Sequence, residues 1–389
     1  MKRYALLAQV IVAIAMVGFG YAQPYNSPQP SPVRPAATCP PFDVSTVKVL
    51  ASNYFPYPAA SGSGYSPPGS NLQTGASLST QMQADISAAF ANAPTSVQND
   101  ICALSGIFID TSVCQGGTIN PCTPTSSGYF SWAYRSWDSS NSDLGSMYIA
   151  IPASLWPTAN TYAIGFSSYY QAIIQYFAQD SNSIWGRAYT LPTVSAVTYN
   201  NATTNWPSVL AVIAHEIGHL KLNYTIHQKG HYGGNNLDLT SLKKCSLNNT
   251  DFFAGWAYTG NPKKIIPKDY WRQFAHQEDE YGDTQIDHVN PPYLSDFTYD
   301  PSNPQDPNPL LYTLYSDSSQ PWASFWGAWS PDEDFVETYV LNALKANVLS
   351  IPVSIGTNSY DVIKGLANNN KPTLSAKMTC LDNLPALGK

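Results

Sequence analysis

The chain has 389 residues, of which 43% are hydrophobic, and 19 basic against 26 acidic residues give a formal net charge of −7. This is ample apolar material for one large domain or two ordinary ones, and it excludes a disordered or collagen-like chain. Charges are sparse, and no Lys/Arg cluster exists that could track a phosphate backbone, so nucleic acid is not an expected partner.

The opening MKRYALLAQVIVAIAMVGFGYAQ has a basic start at Lys2 and Arg3, an apolar run from Ala5 to Gly20 and small residues at Gly20 and Ala22. It reads as a secretory signal over residues 1–22, with an uncleaved anchor as the alternative, and no later segment is expected to span a bilayer. The product is expected outside the cell or in the periplasm. Residues 23–41, QPYNSPQPSPVRPAATCPP, are too rich in proline and small polar residues to fold alone and form a linker or arm. The six cysteines, Cys39, Cys102, Cys114, Cys122, Cys245 and Cys380, lack the CxxC spacing of a thiolate metal site. In an exported chain they imply three disulfides, in a pairing that spacing does not select.

Residues 42–389 read as one catalytic unit. Residues 54–75 are loop, and Leu78 to Ala91 has helical spacing. Met147–Ile151 and Thr193–Tyr199 favour strands, with a helical pattern between them over Ser167–Ala178. A long apolar helix starts near Pro207 and runs through Leu222. Residues 223–320, rich in Asn, Asp, Pro, Gly and aromatics, read as an irregular functional insertion or lid, with a short helical candidate at Asp269–His276. A last helix, SPDEDFVETYVLNAL, starts from Ser330 and Pro331 and reaches Leu344. The sum is α+β: a small mixed sheet, a central buried helix and a later acidic helix.

The central helix contains VIAHEIGHLKLNY. At about 100° per residue, His219 lies only about 40° around from His215, while Val209, Ile213, Ile217 and Leu220 gather on the opposite side. Two imidazoles stacked one turn apart give two nitrogens to one ion, and Glu216 reaches the side where an activated water belongs. This is the HExxH pattern of a catalytic zinc helix, with Glu216 as the general base. Gly218 costs about 1 kcal/mol in a helix interior. Either the ion site or a neighbouring helix must come close to the backbone there.

A third protein ligand is required. The pattern HExxHxxGxxH is ruled out, because Leu222 stands in place of Gly and Thr225 in place of His. In the last helix, Glu333 and Glu337 stack four residues apart on the border of the apolar face, where a carboxylate is expensive unless paired or bound to a cation. The same wheel turns Asp334 towards solvent. Ser330 and Glu333 also form a capping box, which explains Glu333 but not Glu337. Glu280, in QEDEYGDTQIDH, is a rival ligand.

HEIGH followed far downstream by E-D-F-V-E resembles the gluzincin metallopeptidases, the zincin group of thermolysin and anthrax lethal factor. The resemblance covers two short segments. It implies a zincin-like fold, one catalytic Zn²⁺ held by His215, His219 and Glu333, Glu216 as general base, and Glu337 as the carboxylate orienting an imidazole N–H. Two features depart from the pattern: a spacing of 114 positions between His219 and Glu333, and a lysine at Lys221 where an apolar residue is usual. An oxyanion donor is also expected, with Tyr281, Tyr315, His227 and His231 as candidates. The expected activity is that of an exported zinc endopeptidase acting on protein or peptide substrates. The alternatives are an inactive zincin-like protein and a carbohydrate-binding or surface-binding protein, the latter suggested by 26 Tyr and 10 Trp.

Overall fold

A computed structural model describes residues 42–50, 75–111, 131–137, 143–156, 205–226, 331–355, 357–368 and 371–387, with shorter pieces and single residues between them. The signal segment, the proline-rich arm and the expected helices at 167–178 and 269–276 lie outside the described residues, as do Glu280, Tyr281, His227, His231 and Ser330.

In chain order the elements are β1 (Lys48–Val49), α1 (Thr80–Asn92), α2 (Thr95–Ala103), β2 (Gly106–Asp110), β3 (Trp132–Trp137), β4 (Asp143–Pro152), β5 (Thr193–Val194), β6 (Thr198–Tyr199) and α3 (Trp206–Ile226). They continue with β7 (Trp256–Thr259), β8 (Lys264–Pro267), α4 (Pro331–Leu344), β9 (Val348–Ser350), β10 (Pro352–Ile355), β11 (Asn358–Asp361), α5 (Val362–Ala367) and α6 (Pro372–Asn383). Among the described residues no helix is long and apolar enough to cross a membrane. Cys102 and Cys380 are both disulfide-bonded.

The main sheet has strand order β1-β2-β4-β3. β1, β2 and β4 are parallel neighbours, and β3 runs antiparallel to β4 at the edge. Side chains alternate across this sheet. Val49, Ile107, Ile109, Met147, Ile149 and Ile151 join the main core, while Leu50, Phe108, Tyr148 and Ala150 form a second cluster. Phe108 and Tyr148 meet edge to face at 5.8 Å. The run Thr193–Tyr199 divides into two short strands, because β5 pairs with β10 and β6 with β9. A hairpin of β7 and β8 lies inside the stretch read from sequence as irregular.

Helix α3 crosses this core as a buried rod, packed on α1, β3, β4 and above all α4. It starts one residue before Pro207, with Asn205 ahead of it. The Asn205 carbonyl accepts from Ser208 and Val209 N–H at 3.1 and 3.2 Å. Buried Asp85 of α1 accepts from Asn205 N–H at 3.0 Å and from Trp156 Nε1 at 2.9 Å, and Asn205 Nδ2 donates to the Leu155 carbonyl. Burial of Asp85 raises its carboxyl above the usual carboxylate range, more than these two donors to it together with Gln81 lower it. The start of α3 is thus tied to α1 and to the end of β4.

Farther along, Lys221 is fully buried, and its Nζ donates to Asp100 of α2 at 2.6 Å. Asp100 also accepts from Tyr339 Oη of α4 at 2.6 Å and from Leu387 N–H at 2.8 Å. One carboxylate thereby joins α2, α3, α4 and the chain beyond α6. Asp100 shares the face of α2 that carries Val97 and Ile101, so an acid on an apolar stripe was the available signal for this role. Asp334 likewise departs from the solvent-facing position its own helix suggests. It is buried and bound through both oxygens to Lys377 of α6 at 2.7 and 2.6 Å, with Phe252 and Trp322 on either hand of the ammonium. The second helix packed over that face accounts for the difference.

Removing one partner of a buried pair strands the other charge, at a cost of about 3–5 kcal/mol. Asp100→Ala is therefore expected to lower unfolding stability by that amount in a urea titration, and Asp100→Leu combined with Lys221→Met to recover much of it. A single variant within about 1 kcal/mol of wild type would refute the role assigned to Asp100.

Candidate metal centre

The pattern HExxH fixes what α3 can present. His215 and His219 stand one turn apart, their rings 4.9 Å between centroids and nearly perpendicular, with Nε2 atoms 3.2 Å apart. α4 supplies the facing groups. Glu333 Oε2 lies 3.9 Å from His215 Nε2, and Glu333 Oε1 lies 3.8 Å from His219 Nε2. Among the described residues these three make up the group whose ligand atoms come together closely enough for one ion, all within 4.8 Å of one another.

Metal–ligand bonds of about 2.0–2.2 Å in a tetrahedron imply ligand atoms separated by about 3.3–3.6 Å. The observed separations of 3.2, 3.8 and 3.9 Å bracket that range, so the donor set suits a zinc-sized ion without rebuilding of the helices. The charge balance points the same way. Glu216, Glu333 and Glu337 place three buried carboxylates around two imidazoles, an arrangement that a divalent cation relieves.

The two helices can come this close because of Gly218. A Cβ at that position would meet Val336 Cα at 3.1 Å and both Val336 γ-carbons at 3.3 Å. The group that approaches the Gly218 backbone is therefore α4. His215 and His219 sit three residues before and one after Gly218, and Glu333 and Glu337 sit likewise around Val336, so the crossing sets the four side chains face to face.

Behind the nitrogens, Glu337 Oε1 lies 3.2 Å from His215 Nδ1, and Ser324 Oγ donates to Glu337 Oε2 at 2.7 Å. Since His215 Nε2 points at His219 and Glu333, the Nδ1 proton is the one that faces Glu337. Burial opposes a positive charge on His215, but Glu333 and Glu337 outweigh it and raise the imidazole above its ordinary value. Glu216 is buried and accepts from Ser131 Oγ at 2.5 Å, at the residue that leads into edge strand β3.

Of the residues singled out by sequence, the structure brings together His215, Glu216, His219, Glu333 and Glu337. The Glu333 carboxylate is turned towards the two histidines; Ser330, its partner in a capping box, lies outside the described residues, as do Glu280, Tyr281, His227 and His231. Tyr315 is described: it is buried, it lies against the Tyr360 ring, and it borders a small cavity on the far side of Glu337. Ser131 and Ser324 were not foreseen. Each is a single serine among aromatic residues, in FSWAY and WASFWG, with no periodicity to mark it. Comparison of the chain with protein-family models, with curated proteins and with solved structures gives no match.

Proposed function

We propose that the chain is an exported, zinc-dependent metalloendopeptidase with a zincin-like catalytic unit that cleaves protein or peptide substrates. The observation that carries this reading is the convergence of His215, His219 and Glu333 from two buried helices, with Glu216 beside them in the sequence of α3. His215, His219 and Glu333 would hold the ion. A bound Zn²⁺ supplies a Lewis acid for the scissile carbonyl and brings the pKa of water towards neutrality.

The chain's own groups have separate tasks. Glu337 accepts the Nδ1 proton of His215 and so keeps Nε2 as the ligand nitrogen. Ser131 donates to Oε1 of Glu216 and so restrains that carboxylate. Glu216 takes a proton from the attacking water and returns it to the leaving nitrogen of the peptide. Glu216, next to the two histidines in sequence and held by Ser131, favours a hydrolase over a protein that only binds. Export is supported by the basic and apolar pattern of residues 1–22 and by the disulfide-bonded Cys102 and Cys380.

Three outcomes are expected of the purified mature chain. On an unstructured protein substrate, activity is abolished by a chelator and restored by Zn²⁺, and Glu216→Gln lowers kcat by about 10²–10⁴-fold with zinc retained. Full activity in that variant would rule out the proposed mechanism. Elemental analysis should find about one zinc per chain in wild type and in Glu280→Ala, and a large loss in Glu333→Ala. Loss in Glu280→Ala alone would move the third ligand to Glu280. Because the carboxylates raise the pKa of His215, its proton competes with the ion from a higher pH than at an ordinary histidine. Zinc titration in weakly buffered solution should therefore release protons, with affinity falling as the pH is lowered.

A further inference from the structure

We propose that Ser324 is a positioning residue of the metal centre, whose hydroxyl sets the orientation of Glu337 and, through it, the tautomer and tilt of His215. The inference rests on the zinc reading above. Three hydrogen bonds run in series: Gly327 N–H to Ser324 Oγ at 3.3 Å, Ser324 Oγ–H to Glu337 Oε2 at 2.7 Å, and His215 Nδ1–H to Glu337 Oε1 at 3.2 Å. With Glu337 as the carboxylate, their direction follows. A backbone amide can only donate, so the Ser324 oxygen accepts from Gly327 and spends its one proton on the carboxylate. An ionised carboxylate can only accept, so His215 must donate from Nδ1, which leaves the Nε2 lone pair to the ion.

Ser324 gives the Glu337 carboxylate a directional contact from outside its own helix. Ser324 and Glu337 border a small cavity whose other walls include Tyr315, Val340, Leu341, Leu344 and Ile351. The hydroxyl supplies the directional restraint, and Gly327 secures it: this residue sits directly on α4, where a Cβ would lie 3.5 Å from Asp334 Cα and 3.7 Å from Glu337 Cβ. Without the hydroxyl, Oε2 loses this donor and the carboxylate is held less firmly as the acceptor of Nδ1–H. A partner that directly accepts the N–H of a metal-binding histidine, as Glu337 would, is worth about 10–100-fold in metal affinity, and Ser324, one bond further out, is assigned the lower end of that range.

The test is zinc affinity, measured by competition with a chelating dye, on the mature chain and its Ser324→Ala, Ser324→Thr and Ser324→Val variants. The threonine and valine variants have the same shape and differ in the hydroxyl. Ser324→Ala and Ser324→Val should each lose about tenfold in affinity and shift the visible absorption of the Co²⁺-loaded protein, while Ser324→Thr stays within about twofold of wild type. Wild-type affinity in Ser324→Ala, or equal losses in the threonine and valine variants, would overturn the assignment. If Ser324→Ala does not fold, the comparison of threonine with valine decides. A wild-type chain that takes up no zinc would overturn the zinc reading and this inference together, whereas zinc uptake that is indifferent to the hydroxyl overturns the inference alone.

Discussion

The close crossing of α3 and α4 at Gly218 is the constraint on which the rest of the centre depends. With no side chain at that position, the backbone of α4 comes within 3.1 Å of where a Cβ would stand. The residues three before and one after the crossing point on each helix are then obliged to meet. On α3 these are the two histidines, on α4 the two glutamates. His219 pairs with Glu333 and His215 with Glu337, the early member of each helix facing the late member of the other, so the helices run in opposite senses where they touch. A larger residue at 218 would separate the four groups by moving a whole helix, because interiors at this density do not yield locally.

Around this crossing the protein carries an unusual load of buried charge. Burying an ionised group is costly unless it is paired and hydrogen-bonded, and the two lysine–aspartate pairs meet that condition. Lys221–Asp100 lies half a turn beyond His219, and Lys377–Asp334 next to Glu333, so each ligand-bearing helix is pinned beside its own ligand. The carboxylates of the centre itself are a different case. Glu216 and Glu337 receive serine hydroxyls, and Glu333 faces the two Nε2 atoms. Three acids lie against two imidazoles in a water-poor place, and this is the ground on which a divalent cation is proposed for the cluster.

What was legible in the sequence follows from which interactions are local. HExxH and E-D-F-V-E could be read because helical periodicity places side chains on faces without knowledge of any neighbour. The same method misplaced Asp334, since a wheel sees the hydrophobicity of its own helix but not α6 lying across the polar side. Lys221 looked anomalous for the same reason: its partner Asp100 is 121 positions away. Gly218 announced a close approach without saying of what. Ser131 and Ser324 were invisible, because each acts through one hydroxyl delivered from an irregular or edge position, and nothing in the composition around them varies with that duty. The split of Thr193–Tyr199 between β5 and β6 depends on strands more than 140 positions later, which local β propensity cannot anticipate.

The remaining question is whether the ion organises the protein or the protein organises the ion. In small zinc domains the ligands have no fixed place until metal binds, and binding energy is folding energy. For the proposed zinc site, the contacts around α3 favour the opposite order. α3 is fastened at its start by Asp85 and Asn205, near its end by Lys221 and Asp100, and along its length by a continuous aliphatic core that includes Val209, Ile213 and Ile217. His215 and Glu216 each have a partner supplied by a different part of the chain, Glu337 and Ser131. Ligands already held in place lose little conformational freedom when the ion binds. A centre assembled in that order can keep one coordination position for water and substrate, because the fold does not need the ion to close it.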